Sequence, residues 1–283
     1  MIKLSIVILS YNTKDLTLAC LKAIASQYEK ELVEKELEII VVDNASVDGS
    51  PSAISNFQLI RSKENLGFGG GCNLGAKSAK GKYLLFLNSD TEILDKGFLG
   101  MTKFLDDNLK VAILGGKLEN IDGSIQKSCG KFYSLFNLLI MLLGLERFGF
   151  LRSSPSEIQK VDWVSGACLM VRRDDFERLS GFDEKMFMYV EDMEICFRAK
   201  KIGLLTYFYP NISLKHKSLG SSNRTFAIIN IYKGILHFYA KHKTYLEYLI
   251  AKSLLTLKAI ILVIVGFLTF NSELRDRYRK AIS

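Results

Sequence analysis

Two polar clusters in the first hundred residues follow apolar segments, and both contain an aspartate. Asn88-Ser89-Asp90 comes directly after Lys82–Leu87, and Asp90 could hold a hard divalent cation through its carboxylate oxygens. Asp43 ends a second apolar segment, Glu38–Asp43. An aspartate at the end of a strand is also a frequent turn or helix-capping residue, so each cluster has a structural as well as a chemical interpretation.

An acidic pair and a histidine in the second half have side chains suited to proton transfer or metal binding. Glu191 and Asp192 stand among apolar residues. An apolar setting raises the basicity of a carboxylate, as a general base requires, although the start of a surface helix would explain the same pair. His216 follows a strand-like segment and could supply an imidazole to a metal, or serve a purely structural purpose.

The glycine-rich segment Gly67–Gly75 suggests a dinucleotide-binding loop but fails the test of spacing. The chain also contains no P-loop sequence. We predict either a flexible connection or a backbone that approaches a ligand closely before a helix over Cys72–Ala79. Tyr11, near the N-terminus, could stack on a nucleobase or pack against the sheet.

Apolar segments alternate with helical patterns in the first hundred residues. The predicted strands are Leu4–Ser10, Glu38–Asp43, Phe57–Arg61 and Lys82–Leu87, and the predicted helices are Lys14–Ala25 and Cys72–Ala79. This alternation is typical of a doubly wound α/β fold, a mostly parallel sheet flanked by helices. Ligands bind beyond the carboxyl ends of the strands in such sheets. The clusters at Ser10, Asp43 and Asn88 stand at those ends, so we expect them to share one site.

The second half of the chain has looser patterns. We predict a loop and a helix within Phe187–Gly203, and a very apolar stretch, Phe132–Phe150, has no regular polar face. The predicted strands are Trp163–Arg172 and Leu205–Tyr209, the latter ended by Pro210, and the predicted C-terminal helices are Ala227–Lys241 and Tyr245–Phe270.

Composition and charge exclude several classes of protein. The 283 residues are 48% hydrophobic and 24% charged, as in folded globular chains, which excludes a disordered chain. The five cysteines form no C-x-x-C pair and the N-terminus has no basic leader, so we expect a reduced, cytosolic chain. Residues 211–283 contain 12 Lys or Arg and three Asp or Glu, and therefore account for the whole net charge of +8. Such asymmetry indicates an anionic membrane surface or a nucleic acid as partner.

The apolar run Ala259–Phe270 favours the membrane over the nucleic acid. It contains 12 uncharged residues, whereas crossing the hydrocarbon core takes about 20. With Lys252 and Lys258 upstream, we predict an interfacial helix that lies on a membrane, with packing against the core or a second subunit as the alternative. Basic residues among long apolar runs fit nucleic-acid binding poorly, so no nucleic-acid partner is expected.

The motifs occur in an order that resembles the family 2 glycosyltransferases with the GT-A fold, and especially their rhamnosyltransferase-like branch. The quoted segments are Ser5–Asn12, Ile40–Ser50, Asn65–Gly75, Leu87–Asp90, Trp163–Ala167, Gly181–Glu184 and Glu191–Asp192. The resemblance covers about residues 3–220 and implies a GT-A catalytic domain over 1–220. The remaining segment, 221–283, would form C-terminal amphipathic helices that associate with a membrane.

The resemblance also implies roles for individual residues. Asp192 corresponds to the catalytic base, and Glu191 beside it would orient the acceptor, together with Trp163 and Gly166. Asp90 and His216 correspond to the ligands of a divalent cation, Mg²⁺ or Mn²⁺. The residues implied in binding the sugar donor are Ser10, Tyr11, Asn12, Asp43, Asn44, Asn65, Gly67, Gly71, Asn73, Asn88, Ser89 and Asp90. Asn88 departs from the usual Asp-x-Asp pair, which removes one charge from the metal site, although members of this branch also carry Asn there.

The implied activity is inverting transfer of a sugar from a nucleotide-diphosphate donor to a hydroxyl group. The first candidate donor is dTDP-L-rhamnose, and the acceptor would be a lipid-linked or polysaccharide precursor of a cell-surface glycan, met at the inner face of the cell membrane. The sequence leaves open a UDP-hexose or UDP-N-acetylhexosamine donor. It also leaves open a non-catalytic assembly subunit, which Asn88 favours and the presence of Asp90 and Asp192 opposes. An oligomer is compatible with the sequence.

Overall fold

The computed structural model describes residues 2–145, 149–218 and 223–282. The strands are β1 Leu4–Ser10, β2 Leu37–Asp43, β3 Gln58–Arg61, β4 Tyr83–Asn88, β5 Thr91–Ile93, β6 Val111–Glu119, β7 Ile125–Gln126, β8 Cys129–Gly130, β9 Arg152–Ser153, β10 Gln159–Val161, β11 Trp163–Val164, β12 Cys168–Arg172 and β13 Leu205–His216. The helices are α1 Lys14–Gln27, α2 Glu29–Val33, α3 Ser50–Ala53, α4 Gly67–Ala76, α5 Gly97–Asp107, α6 Leu135–Leu142, α7 Arg173–Arg178, α8 Glu191–Lys201, α9 Arg224–His242, α10 Tyr245–Leu268 and α11 Ser272–Ile282.

The central sheet has the strand order β10-β13-β6-β12-β4-β1-β2-β3. β1 pairs in parallel with β2 and β4, β2 with β3, and β6 with β13, whereas β12 runs antiparallel between β4 and β6. A second sheet of three short strands has the order β11-β8-β9. In the parallel part Ser10 pairs with Asp43, and Asn88 pairs with Leu9. The polar clusters predicted to share a site therefore end at one edge of the sheet.

Alternating side chains of the central strands supply two apolar cores. Ile6 and Ile8 face the core that includes α1 and α5, whereas Val7 and Phe86 face the core on the other side of the sheet. This second core also contains Tyr232 from α9 and residues of α10. Period-two alternation with both faces covered explains why these strands are apolar throughout. Residues of α9 and α10 belong to the same core as residues of the sheet. A domain boundary at residue 220, which lies outside the described residues, stays a prediction.

The glycine-rich segment forms a helix, so the prediction of a loop was wrong. α4 spans Gly67–Ala76, and its glycines let it pack closely against the sheet. A Cβ at Gly71 would lie 2.2 Å from Leu9 Cδ1, and a Cβ at Gly75 would lie 2.5 Å from Val7 Cγ1. The glycines therefore serve helix-to-sheet packing, which outweighs their low helix propensity.

Two predicted strands have different bounds in the structure. The strand expected over Trp163–Arg172 is divided into β11 and β12, because residues 165–167 cross from the small sheet to the central one. The strand expected to end at Pro210 continues to His216. The pairing of β13 with β6 shifts register between Tyr209 and Leu214, so Pro210 lies at an irregularity that needs no ladder hydrogen bond from it.

The C-terminal helices are longer than predicted. α10 has 24 residues and passes through Lys252 and Lys258 without interruption, so the apolar helix does not begin at Ala259. By length and composition α10 is a helix that could cross a membrane, and 22% of its most apolar window is buried. α11 folds back against α10, where a Cβ at Gly266 would lie 2.8 Å from the backbone nitrogen of Arg275.

The apolar stretch Phe132–Phe150 contains the short helix α6. Ser134 caps it by accepting a hydrogen bond from the Asn137 N–H at 3.1 Å. Leu138 is fully buried and α6 packs against α10, whereas Phe136 is 71% exposed. Residues 146–148 of this stretch lie outside the described residues.

Candidate active site

A cleft of about 860 Å³ lies at the carboxyl ends of β1 and β4. The predicted site residues that line it are Tyr11, Asn44, Asn65, Gly67, Asn88, Ser89, Asp90, Trp163, Gly166, Glu191, Asp192 and His216. The structure therefore brings residues predicted to bind a sugar donor, an acceptor and a metal to one cavity.

Ser10 and Asn12 support the turn after β1 that presents Tyr11 to the cleft. The buried Ser10 hydroxyl lies 2.9 Å from the Thr17 hydroxyl of α1. Asn12 adopts a positive φ of 53°, and its side-chain oxygen accepts the Val47 N–H at 2.8 Å. These bonds tie the turn after β1 to the neighbouring helix and to the turn after β2.

Asp43 is buried at the end of β2 with one oxygen unused. Its Oδ2 accepts a hydrogen bond from the Ser46 N–H at 3.3 Å, whereas Oδ1 is buried and has no hydrogen-bond partner among the described residues. A buried acceptor without a partner costs stability. Asp43 is not among the residues that line the cleft, and its role in binding the sugar donor stays a prediction.

Asn44 and Asn65 fix the backbone at the start of α4. Asn44 Nδ2 donates to Asn65 Oδ1 at 2.8 Å and to the Gly67 carbonyl at 3.1 Å. Gly67 has a φ of +72°, and a Cβ there would lie 2.0 Å from the Phe187 carbonyl oxygen. Any other residue at position 67 would displace the segment that leads to α8.

Gly71 and Asn73 lie on α4 and are not among the residues that line the cleft. Gly71 packs on Leu9, as described above. Asn73 Nδ2 donates to the Phe182 carbonyl and to Glu184 Oε1, each at 2.9 Å, and its Oδ1 accepts the Phe182 N–H at 2.9 Å. In this structure Asn73 fastens α4 to the segment before α8, and a role in binding the sugar donor stays a prediction.

Asp90 and His216 meet at the rim of the cleft. His216 Nε2 lies 3.3 Å from Asp90 Oδ1 and 3.1 Å from Asn88 Nδ2. On the other side of the ring, His216 Nδ1 lies 2.7 Å from Gln126 Oε1, which orients the imidazole. Within the described residues no three His, Cys, Asp or Glu side chains form a metal-binding group. One carboxylate and one imidazole nevertheless fit a Mg²⁺ or Mn²⁺ ion that completes its shell with substrate phosphates and water.

Glu191 and Asp192 begin α8 and face the cleft. Asp192 Oδ2 accepts the Gly166 N–H at 3.0 Å, and Oδ1 accepts the Met193 N–H at 2.7 Å. Desolvation raises the pKa of Asp192, against the effect of these hydrogen bonds and of the Arg152 charge. Glu191 Oε2 is buried without a partner among the described residues. Burial, and then the Asp192 charge, raise the pKa of Glu191 well above its usual range.

The two carboxyl groups therefore differ in their readiness to ionise. Asp192 has two backbone N–H groups to stabilise its charge, whereas Glu191 Oε2 is buried without a hydrogen-bond partner among the described residues. Neighbouring groups whose environments push their pKa values apart are suited to different proton-transfer roles. Asp192 can accept a proton, while Glu191 can remain neutral and donate a hydrogen bond.

A strained turn precedes the acidic pair. Tyr189 and Val190 both have positive φ, at 68° and 73°, which is rare for any residue but glycine and rarer still for β-branched valine. α9 lies against this turn at Gly234, where a Cβ would be 3.0 Å from the Tyr189 carbonyl oxygen and 3.0 Å from Val190 Cβ. Strain of this kind persists only where surrounding structure imposes it.

Sequence reasoning missed Gln126, Arg152 and Gly234. The first two line the cleft from strands of two residues, which are too short to give a periodic pattern. Gly234 is a single glycine within a helical pattern, and that isolated position is the one signal that could have drawn attention to it.

Two solved structures show the class of fold. The mannosyltransferase PcManGT from Pyrobaculum calidifontis, in complex with GDP-Man and Mn²⁺, is 17% identical with a TM-score of 0.59, over 99% of this chain and 85% of that chain. Residues 1–349 of S. aureus TarS, in complex with UDP, are 15% identical with a TM-score of 0.55. The match covers 99% of this chain and 90% of that chain. The fold is that of the GT-A glycosyltransferases, as predicted.

The chain belongs to glycosyl transferase family 2, because the family model of that description matches residues 5–180. The N-acetylglucosaminyl-diphospho-decaprenol L-rhamnosyltransferase of Mycobacterium tuberculosis is 28% identical over 215 residues, 68% of this chain and 70% of that protein. Rhamnosyltransferase WbbL of Escherichia coli is 28% identical over 169 residues, which are 56% of this chain and 64% of that protein. The prediction of a rhamnosyltransferase-like member of the family, and hence of an enzyme, is confirmed.

Proposed function

We propose that this glycosyltransferase moves a sugar from a nucleoside-diphosphate donor to an acceptor hydroxyl group by a single displacement with inversion. The observation that carries the proposal is the common cleft, which joins the Asp90–His216 pair to the hydrogen-bonded carboxylate of Asp192. A departing nucleoside diphosphate and a nucleophilic hydroxyl need these two kinds of group in one cavity.

The sugar donor would occupy the side of the cleft built by β1, β2 and β4. Asp43 Oδ1 would accept the N–H of the pyrimidine, and Tyr11 would contact the base. Asp90 and His216 would hold a divalent cation, Mg²⁺ or Mn²⁺, as supported by Mn²⁺ in the complex of PcManGT. When bound, the cation neutralises charge that develops on the departing diphosphate.

Asp192 would act as the base. The acceptor hydroxyl is a weak nucleophile, and Asp192 would take its proton as the oxygen attacks the anomeric carbon on the face opposite the diphosphate. The transition state resembles an oxocarbenium ion, as in glycoside hydrolysis. Neutral Glu191 would donate a hydrogen bond to the acceptor, and Trp163 with Gly166 would complete the acceptor side.

We infer that dTDP-L-rhamnose is the donor and that the acceptor is lipid-linked. The names of the relatives in M. tuberculosis and E. coli support rhamnose, and the former names a diphospho-decaprenol acceptor. The UDP complex of TarS supports the alternative, a UDP-sugar donor on the same fold. A polysaccharide precursor without lipid is the alternative acceptor.

We also infer that the enzyme works at the inner face of the cell membrane, with α10 lying along the surface. Exposed apolar side chains of α10 include Leu257, Ile261 and Ile264, which are half or more exposed. The charged helix α11 packs along α10 and brings Arg275 and Arg279 beside its apolar residues. Because α10 packs against the charged helix α11, it is suited to the membrane–water interface rather than to the hydrocarbon core.

The first experiment is a thermal-shift comparison of the full chain with dTDP, UDP and GDP, each with and without Mn²⁺. A ligand at 100 times its dissociation constant adds about 2.7 kcal/mol to the free energy of unfolding. We expect the largest metal-dependent stabilisation with dTDP, followed by transfer from dTDP-L-rhamnose to a lipid-linked acceptor. A larger response to UDP would favour the alternative donor, and no response to any nucleotide would favour a non-catalytic assembly subunit.

A further inference from the structure

We propose that Arg152 binds the diphosphate group of a polyisoprenyl-diphosphate-linked acceptor, on the acceptor side of the cleft. This inference rests on the proposed function, because it assigns the acceptor's chemistry at the same site. The sequence analysis gave Arg152 no role. Its backbone belongs to β9, an outer strand of the small sheet β11-β8-β9.

Arg152 lines the same cleft as Trp163 and Asp192, the residue proposed above as the base. Its guanidinium carbon is 5.2 Å from the centre of the Trp163 ring, and Trp163 is held in turn by a hydrogen bond from Nε1 to the Lys131 carbonyl at 3.0 Å. The Arg152 charge also lowers the pKa of Asp192. The guanidinium therefore lies within electrostatic reach of the atom that would receive the acceptor's proton.

Arg152 is exposed, and among the described residues it lacks a carboxylate partner of the kind that Arg172 and Arg198 have. Arg172 and Arg198 pair with Asp175 and Glu194, at 3.5 and 2.7 Å. No Asp or Glu oxygen of the described residues lies within 4.0 Å of a nitrogen of Arg152. An arginine that is stacked on an aromatic ring and has no counter-ion is suited to bind an incoming anion, and its planar group can hold two phosphate oxygens.

The acceptor, rather than the sugar donor, needs this cation. The diphosphate of the sugar donor has its own binding groups, Asp90 and His216 with a divalent cation. An acceptor sugar linked to diphosphate brings negative charge toward Asp192, and like charges repel in a partly dehydrated cleft. Arg152 would offset that repulsion while the sugar hydroxyl reaches Asp192.

The chain before Arg152 carries exposed apolar side chains that could contact the lipid. α6 precedes β9, and three exposed apolar side chains lie on it or directly after it: Phe136 at 71%, Leu139 at 40% and Leu143 at 64% exposure. α6 also packs against α10, the helix proposed to lie on the membrane. A diphosphate held by Arg152 would therefore leave its isoprenoid chain beside apolar surface.

The test uses Trp163, the single tryptophan of the chain, as the reporter. The full-length protein, saturated with Mn²⁺ and dTDP (or UDP where UDP binds more tightly), is titrated with farnesyl diphosphate, inorganic pyrophosphate and farnesol. Tryptophan fluorescence and calorimetry give each dissociation constant. The variants are Arg152→Gln and Arg152→Lys. The matched control is Lys160→Gln, an exposed cation on β10, the next strand along the chain.

We expect Arg152→Gln to raise the dissociation constant of farnesyl diphosphate about 10- to 100-fold, with a smaller rise for Arg152→Lys. The dissociation constant of farnesol should change less than twofold in the Arg152 variants. The dissociation constant of farnesyl diphosphate should change less than twofold in the Lys160→Gln variant. Equal losses for farnesyl diphosphate and farnesol, wild-type binding by Arg152→Gln, or no binding of farnesyl diphosphate to the wild type would each overturn the proposal. The proposed function is judged separately, by nucleotide binding and sugar transfer.

Discussion

At the residue scale, two carboxyl groups that are neighbours in sequence have different surroundings in the cleft. Asp192 accepts two backbone hydrogen bonds, whereas Glu191 has a buried oxygen with no partner among the described residues. Burial raises both pKa values, and the charge of Asp192 adds to the rise for Glu191. The order of ionisation follows from these contacts and leads to two predictions.

The first prediction concerns the base. Asp192→Asn keeps the shape of the side chain but cannot accept the acceptor's proton, so we expect kcat to fall by about 10²- to 10⁴-fold. The affinity for the sugar donor, measured by calorimetry, should change less than twofold. Glu177→Gln, an exposed substitution on α7, is the control. A large loss of donor affinity in Asp192→Asn would remove Asp192 from the role of base.

The second prediction concerns pH. Because the base must be ionised, kcat/KM should rise with pH through an apparent pKa above the ordinary value of 3.8 for aspartate. Arg152→Gln removes a positive charge that favours ionised Asp192, and should move this limb of the profile to higher pH. Glu191→Gln replaces a group that is already neutral, so the limb should stay where it is. A shift to lower pH in Glu191→Gln would mean that Glu191 is ionised in the active enzyme.

At the element scale, α9 holds α8 and the acidic pair in position. Burial alone would raise the pKa of Asp183, but hydrogen bonds from Lys241 and His237 of α9 outweigh it and lower that pKa well below its usual range. Lys241 and His242 also contact Glu194 of α8, at 2.9 and 2.8 Å. Together with the close approach at Gly234, these contacts fasten α9 to α8 and to the turn that precedes it.

Gly234→Ala tests this arrangement. Alanine at a helix position normally stabilises a protein by about 0.5–1 kcal/mol relative to glycine. At position 234 the new Cβ would press on the turn formed by Tyr189 and Val190, so we expect kcat to fall about tenfold or more through displacement of Asp192. The control is Lys233→Ala, an exposed neighbour on α9. Kinetics equal to those of the control would show that the turn tolerates the shift.

Of three aspartates that the sequence singled out, Asp90 and Asp192 line the cleft and Asp43 does not, and the roles of all three stay predictions. Asp43, Asp90 and Asp192 could be found because strand ends and apolar surroundings are visible in the order of residues. The helix α4 could not, because glycine has a low helix propensity and the contacts that compensate, such as Gly71 with Leu9, are tertiary. Arg152 stayed hidden for a similar reason, since pairing between distant strands brings it to Trp163.

At the scale of the whole molecule, α6 and α10 pack together and both expose apolar side chains. α10 also contributes Ala251, Leu255 and Ala259 to the core, so one side of the helix is buried while the other is exposed. Exposed apolar patches of this kind mark surfaces that bind another molecule or a membrane. A lipid-linked acceptor would then reach the cleft without leaving the bilayer surface.

The double variant Leu257→Glu/Ile261→Glu tests membrane binding. Both side chains are at least half exposed, so the fold should be retained. Removing two apolar side chains from the interface should lower partitioning to phosphatidylglycerol vesicles at least about tenfold in a sedimentation assay. Leu109→Glu, an exposed apolar position on the turn between α5 and β6, adds one negative charge elsewhere and should change partitioning far less. Equal partitioning of the double variant and the wild type would place the membrane contact on another surface.

The core shared between the central sheet and α9 has a consequence for synthesis of the protein. Tyr232, Ile235 and Phe238 belong to the same apolar core as Val7 and Phe86 of strands that are translated first. That core therefore stays incomplete until the C-terminal helices have left the ribosome, since contacts between distant parts of the chain form late. A nascent chain in that state exposes the same kind of apolar surface as a membrane-binding helix, so we expect folding in the cell to depend on chaperones or on the membrane until residue 242 has emerged.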